Sequence, residues 1–177
     1  LGCFLSLISF NYIYCYNSYT DRAIDRVNKP NRPLPSGKLV EKQALVYIGV
    51  LLVLSLVLPF VLDIPSLSKI LLLCLPLLGW LYSSPIVRLK RNVYAANLSI
   101  GVMYTMPMGI GLSLFSGVKT FHYLLLVYFY LFTISIVPLK DIGDTKGDIV
   151  NNCDNWYERM GDKVLLLSIA GLSFSIV

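Results

Sequence analysis

The chain has 177 residues, of which 56% are apolar and 14% are charged, and its mean hydropathy is +0.68. Soluble domains carry about 25% charged residues, so this composition excludes an ordinary soluble enzyme and indicates an integral membrane protein. The formal net charge is +5, but the basic residues are not interleaved with stacking aromatic residues, so we expect no nucleic-acid partner.

Apolar segments recur along the whole chain, separated by polar stretches. They cover residues 1–16, 44–62, 70–87, 93–118, 121–139 and 164–177. A membrane-spanning helix needs about 20 mostly apolar residues, and a lipid bilayer admits only helices or closed barrels. These runs are too long for strands, so we predict an all-α, polytopic transmembrane helix bundle. Because the first and last segments are short, we expect residues 1–177 to be one integral-membrane domain that is incomplete at both ends.

The basic residues are distributed unevenly between the connections. Of the 15 lysines and arginines, 13 lie in the first, third and fifth connections, together with nine of the ten acidic residues. Cytoplasmic loops carry the excess of lysine and arginine. We therefore predict a multi-pass protein whose first, third and fifth connections face the cytoplasm. A prokaryotic cell membrane suits this pattern, and an organelle membrane is the alternative.

The first connection contains the stretch YCYNSYTDRAIDRVNKPNRPLPSGKL, residues 14–39. Its Asn17, Asp21 and Asp25 are spaced four residues apart, which places them on one face of a helix. The prolines that follow make a stiff, extended loop, which we expect to hold Arg32 near this first acidic cluster.

A second acidic cluster follows the fifth apolar segment, in KDIGDTKGD, residues 140–148. Asp141, Asp144 and Asp148 also share one helical face. Stacked carboxylates repel one another unless a cation lies between them, and Mg²⁺ is commonly held by one or two carboxylates plus substrate phosphates. The two clusters therefore suit a diphosphate that is bound through Mg²⁺, with basic residues such as Arg22 and Lys140 neutralising the remaining phosphate charge. The alternative, ordinary solvated helix ends, is disfavoured because acidic residues beside membrane helices are costly.

These motifs resemble those of the UbiA-type intramembrane prenyltransferases. Residues 17–39 are similar to the family's first signature, NxxxDxxxD followed by an N-K-P-x-R-P-x-P-S-G loop, and KDIGDTKGD is similar to the second, DxxDxxxD. Between them, LYSSPIVRLKRN, residues 81–92, resembles the family's tyrosine-and-lysine stretch. The three motifs occur in the family's order, and the resemblance covers nearly the whole chain.

The resemblance implies a nine-helix fold, of which this chain would cover about the end of helix 2 to the start of helix 7. It also implies Mg²⁺-dependent transfer of a prenyl group from a polyprenyl diphosphate to a lipophilic acceptor within the bilayer, through an allylic cation. The catalytic aspartates would be Asp21, Asp25, Asp141, Asp144 and Asp148, and these residues with Asn17 would hold the metal. The substrate-binding residues would be Asn17, Arg22, Arg32, Tyr82, Arg88, Lys90, Arg91 and Lys140. The uncharged segment 93–118 would line the channel for the prenyl tail, or simply pack through its small residues.

The acceptor is less constrained by these motifs. The first-motif loop and the form of the second motif resemble the branch that makes archaeal ether lipids, along with the chlorophyll and tocopherol enzymes. We therefore favour geranylgeranyl transfer to geranylgeranylglyceryl phosphate, with an aromatic acceptor such as homogentisate as the alternative. The stretch NCDNWYERMG, residues 152–161, departs from the family's G-x-x-T-L-P pattern, with Asn152 at the glycine and NWY at T-L-P. This departure leaves open a non-catalytic polyprenyl-lipid-binding protein of the same fold. A CDP-alcohol phosphotransferase is disfavoured because its single D-G-x-x-A-R-type motif is absent.

Overall fold

The computed structural model describes residues 1–115, 117–150 and 153–176, and for residues 150 and 174–176 it describes the backbone alone. Within these ranges the chain forms helices and connecting loops, and no strand occurs. The α-helices are α1 (Gly2–Thr20), α2 (Arg22–Asn28), α3 (Glu41–Val61), α4 (Ser66–Ser83), α5 (Val93–Ser113), α6 (Thr120–Val150), α7 (Trp156–Met160) and α8 (Lys163–Ile176), and a short 3-10 helix covers Leu89–Arg91. The prediction of an all-α fold is confirmed.

Each of the six apolar segments lies largely within one long helix. Among the described residues, three helices are long and apolar enough to cross a membrane: Glu41–Val61, Ser66–Ser83 and Thr120–Ile149. Many apolar side chains of α3 face outward, among them Val53 and Phe60. Such a contiguous apolar exterior marks a surface that is covered by lipid or protein rather than by water.

The helix boundaries differ from the predicted segments at the two acidic clusters. Helix α6 does not stop at the end of its apolar run but continues through the whole second cluster, since no proline follows Pro138 in that stretch. In the first cluster the helix breaks at Asp21, whose φ of −95° and ψ of 8° separate α1 from α2. Asn17 and Asp25 therefore lie on two different helices, not on one continuous face.

Neighbouring helices approach closely where glycines face a partner. A Cβ on Gly79 of α4 would lie 2.3 Å from the Ile13 side chain of α1, and a Cβ on Gly101 of α5 would lie 2.4 Å from Ile134 of α6. Small residues permit such close approach of membrane helices. In the resulting bundle, α1 packs against α3, α4 and α5. Helix α5 also packs against α6, and α6 packs against α8.

The first, third and fifth connections meet at one end of this bundle. Lys90 in the third connection contacts Asp21 in the first. Lys29 in the first contacts Asp144 near the end of α6, and the backbone N–H of Asp154 donates to the carbonyl of Arg91. The two acidic clusters therefore lie at the same end of the fold, as the charge pattern predicted.

Candidate active site

A cavity of about 480 Å³ opens between the two acidic clusters. Most of the residues that the sequence singled out line it: Asn17, Asp21, Arg32, Tyr82, Lys90, Lys140, Asp141, Asp144 and Asp148. The N-terminal half of α5 contributes apolar wall residues, including Val93, Ala96 and Ile100. The cavity thus combines a charged end with an apolar side.

Lys90 organises the first cluster. Its Nζ lies 2.5 Å from Asp21 Oδ1 and 2.9 Å from Asn17 Oδ1, and Ser83 Oγ also donates to Asn17 Oδ1, at 2.9 Å. The Lys90 side chain is only 9% exposed. Burial lowers the pKa of Lys90 below the usual lysine range, and the neighbouring Asp21 carboxylate opposes that shift. This ammonium is therefore a desolvated cation held directly at the site.

In the second cluster each carboxylate accepts hydrogen bonds. Lys29 Nζ lies 2.7 and 2.8 Å from the two oxygens of Asp144, and Lys140 Nζ lies 3.3 Å from Asp141 Oδ1. Asn155 Nδ2 donates to Asp148 Oδ2 at 2.8 Å. Each carboxylate of α6 is therefore hydrogen-bonded, and the lysines beside Asp144 and Asp141 offset part of the repulsion between the three.

The oxygen ligands fit Mg²⁺, provided that the substrate completes the coordination. In the part of the chain that the structure describes, no three acidic, cysteine or histidine side chains are grouped closely enough to hold an ion alone. Mg²⁺ typically takes one or two carboxylates plus substrate phosphates and water. Asp21 faces Asp141, Asp144 and Asp148 across the same cavity, which is the kind of donor set that such shared coordination needs.

Four predicted residues do not line this cavity. Asp25 is 3% exposed and its Oδ2 lies 2.6 Å from Nη1 of Arg32, which does line it. Arg22 Nε pairs with Glu41 at 3.0 Å. Arg88 Nη2 approaches Asp21 Oδ1 only to 3.6 Å.

Arg91, the fourth of these residues, is exposed, and its backbone carbonyl accepts a hydrogen bond from Asp154 N. The ligand and substrate roles expected for these four residues stay predictions. So does the metal role of the cavity-lining carboxylates.

The sequence analysis did not single out three residues that hold the site together. Lys29 pairs with Asp144, and its position inside the N-K-P loop was an available signal. Asn28, one residue earlier, donates to the Asp144 carbonyl and accepts from the Gly147 N–H, both at 2.7 Å. Asn155 lies in the stretch that departs from the resembled family's pattern, which gave no hint of its contacts.

The chain is similar to known proteins over its whole length. The sequence profile of the UbiA prenyltransferase family matches residues 1–177. A digeranylgeranylglyceryl phosphate synthase of Methanosphaera stadtmanae is 31% identical over 132 residues, which are 75% of this chain and 46% of that protein. A homogentisate phytyltransferase of Synechocystis sp. is 32% identical over 161 residues, which are 84% of this chain and 49% of that protein.

A solved structure shares the fold. A UbiA homolog from Archaeoglobus fulgidus, bound to DMAPP and Mg²⁺, matches with a TM-score of 0.74 over 99% of this chain and 73% of that one, at 16% identity. The chain spans less than half the length of the two curated relatives. With three apolar helices of spanning length, these matches identify an integral membrane protein, and the chain belongs to the UbiA prenyltransferase family.

Proposed function

We propose that the protein catalyses Mg²⁺-dependent transfer of a prenyl group, most specifically geranylgeranyl, from a polyprenyl diphosphate to a lipophilic acceptor in the bilayer. The observation that carries this proposal is the meeting of the two acidic clusters, from α1 and α6, around one cavity that is also lined by the buried ammonium of Lys90. A site that only bound a neutral lipid would have no need for carboxylates on facing walls, because their desolvation is costly.

The charges of the cavity suit a metal diphosphate. Lysines and carboxylates alternate around it, with Lys29 and Lys90 each within 3 Å of an aspartate. When bound, Mg²⁺ would supply Lewis-acid stabilisation of the charge on the departing diphosphate. The metal would be held by the cavity-lining carboxylates Asp21, Asp141, Asp144 and Asp148, with Asn17 as a neighbouring oxygen ligand. Asp25 does not line the cavity and would support the site through its ion pair with Arg32.

The chain's own residues would then bind and orient the substrate. The Lys90 ammonium, already placed between Asn17 and Asp21, would donate to diphosphate oxygens as the allylic C–O bond breaks and its electron pair leaves with the diphosphate. The apolar wall of α5, with Ala96 and Ile100, would exclude water from the resulting cation. An acceptor oxygen or ring carbon would then attack this cation and lose its proton.

The acceptor is the finer part of the proposal. Similarity to a digeranylgeranylglyceryl phosphate synthase favours geranylgeranylglyceryl phosphate, and similarity to a homogentisate phytyltransferase supports an aromatic acceptor as the alternative. We also propose that the charged end of the bundle faces the cytoplasm of a prokaryotic cell, because it carries 13 of the 15 basic residues. Residues 1–177 would form part of a single nine-helix domain.

The test uses the full-length protein in detergent with geranylgeranyl diphosphate. Diphosphate release is followed with geranylgeranylglyceryl phosphate or homogentisate, in Mg²⁺ and in chelator. Asp21→Ala and Asp144→Ala should each abolish acceptor-dependent release. Asp63→Ala, an exposed acidic residue in the connection between α3 and α4, is the matched control and should leave release unchanged.

The outcomes separate the alternatives. Mg²⁺-dependent release with one acceptor only would identify the acceptor class. Mg²⁺-dependent binding of the diphosphate without turnover on any acceptor would favour a polyprenyl-lipid-binding protein. Absence of binding by the folded protein would overturn the diphosphate site itself.

A further inference from the structure

Asn155 lies at the centre of the stretch that departs from the family's pattern, and its side chain is fully buried, with 0% exposure. It precedes the five-residue helix α7, so its position is that of an N-cap. Its Oδ1 accepts from the backbone N–H groups of Tyr157, at 2.9 Å, and Glu158, at 3.2 Å. This half of the amide does what N-cap asparagines ordinarily do.

The other half of the amide reaches the second acidic cluster. Nδ2 donates to Asp148 Oδ2 at 2.8 Å and to the Asp141 carbonyl at 3.1 Å. The orientation of the amide is fixed by its partners, because backbone N–H groups can only donate, whereas a carbonyl and a carboxylate accept. Asn155 therefore ties the cap of α7 to two points of α6 that are about two helical turns apart, the Asp141 carbonyl and the Asp148 carboxylate.

The next residue strengthens this connection. The backbone N–H of Trp156 donates to Asp141 Oδ2 at 3.0 Å, so residues 155 and 156 together hold two of the three carboxylates of the second cluster. Asp148 and Trp156 both line the cavity. By contrast, Asn92 caps α5 in the same way, accepting from Tyr94 and Ala95, but it is exposed, and no carboxylate of the described residues accepts a hydrogen bond from it.

We propose that Asn155 is a positioning residue, whose buried amide holds the Asp148 carboxylate and the Asp141 turn in the arrangement that binds the metal diphosphate. This rests on the proposed function and extends it to a residue that does not itself touch substrate. The departure from T-L-P at this position would then be a different way of supporting the acidic face. Partners that orient metal ligands typically contribute 10- to 100-fold to metal affinity.

The test separates the cap from the positioning role. Serine caps helices about as well as asparagine but is too short to reach Asp148, whereas alanine provides neither contact. We expect Asn155→Ser and Asn155→Ala to weaken Mg²⁺-dependent binding of inorganic diphosphate by the same factor, about 10- to 100-fold. Only the alanine variant should lose the additional thermal stability of the cap. Asn92→Ser, the matched control at an ordinary cap, should leave binding within about twofold.

A double-mutant cycle identifies the carboxylate through which Asn155 acts. In an Asp148→Ala background, which leaves Asn155 Nδ2 no side-chain acceptor at position 148, Asn155→Ser should weaken diphosphate binding by less than about threefold, because the two changes remove the same interaction. Equal losses in both backgrounds, or a serine variant that binds like the unsubstituted protein, would overturn the positioning role. If the unsubstituted full-length protein shows no Mg²⁺-dependent binding of diphosphate, the proposed function fails instead.

Discussion

Two glycines in the second acidic cluster give a sharp test of how α6 is held. Gly143 and Gly147 lie one turn apart on the same helix. A Cβ at Gly147 would lie 2.5 Å from Cγ and Nδ2 of Asn28, closer than real Cβ atoms come to other atoms, whereas a Cβ at Gly143 would meet nothing within 4 Å. We therefore predict that the Gly147→Ala variant is less stable than the Gly143→Ala variant.

The size of the effect follows from the two hydrogen bonds of the Asn28 amide. An alanine at Gly147 displaces this amide from the Asp144 carbonyl and from the N–H of residue 147, each now at 2.7 Å. A typical intramolecular hydrogen bond contributes about 0.5–1.5 kcal/mol net, so losing both costs about 1–3 kcal/mol. Glycine to alanine in a helix gains about 1 kcal/mol at either position. This gain is the same for both variants, so their free energies of unfolding should differ by the hydrogen-bond contribution alone, about 1–3 kcal/mol.

The measurement is thermal unfolding of the full-length protein in detergent. The shift per kcal/mol falls with chain length and is about 2 °C at the upper end of the 150–250-residue range, so in the longer full-length protein Gly147→Ala should unfold up to about 2–6 °C below Gly143→Ala. In an Asn28→Ala background the obstructing amide is gone, so the same Gly147→Ala change should cost no more than Gly143→Ala. Equal midpoints for the two single variants, or a full penalty that persists without the Asn28 side chain, would refute this explanation.

Three further predictions concern packing, charge and access. Gly101→Ala should lower the thermal midpoint because its Cβ would lie 2.4 Å from Ile134, whereas Gly111→Ala, with nothing within 4 Å, should not. The lowered pKa of Lys90 means that its ammonium loses the proton below the ordinary value of 10.5. Between the pKa of Lys90 in the folded protein and its ordinary value, diphosphate binding should fall as pH rises, because Lys90 loses its positive charge. Folding stability should rise with pH in the same range, because the unfolded chain then binds more protons than the folded chain. Lys90→Arg, which stays charged, should abolish the decline in binding. Burial raises the pKa of Cys153 above its ordinary value of 9.0. In a variant in which every other cysteine, including Cys3, Cys15 and Cys74, is replaced by serine, Cys153 should react slowly with maleimide at neutral pH, as followed by mass spectrometry. Mg²⁺ with diphosphate should slow that reaction further, and fast labelling unaffected by ligand would contradict the burial.

The sequence predicted the helical architecture because uncharged apolar runs of spanning length have few structural alternatives. The same logic could not place the end of α6. Its apolar run stops near residue 139, but the aspartates, threonine and lysines that follow are all compatible with helix, so the helix continues to Val150. The break at Asp21 was equally hidden, since the spacing of Asn17, Asp21 and Asp25 fits one continuous helix.

For the site, the sequence identified the carboxylates and could not identify their partners. Acidic spacing is visible in a single segment, whereas the pairing of Lys29 with Asp144 joins residues 115 positions apart in the chain. Asp25 shows the opposite problem. It has the right spacing, but its ion pair with Arg32 keeps it behind the cavity wall. Whether a motif residue faces the ligand or supports one that does is decided by packing, which spacing alone does not show.

Each carboxylate of the second cluster contacts a lysine or an amide, which explains how the three can lie close together without a bound ligand. Asp141, Asp144 and Asp148 share one helical face, where like charges destabilise a helix. Lysines and Asn155 compensate them without filling the cavity between the clusters. A metal diphosphate brings both cations and anions, so it can take over the carboxylates while its phosphates take over the released lysines. On the proposed function, binding would exchange one set of ion pairs for another and would leave no buried charge unpaired, which is the condition under which charges in a partly buried site are tolerated.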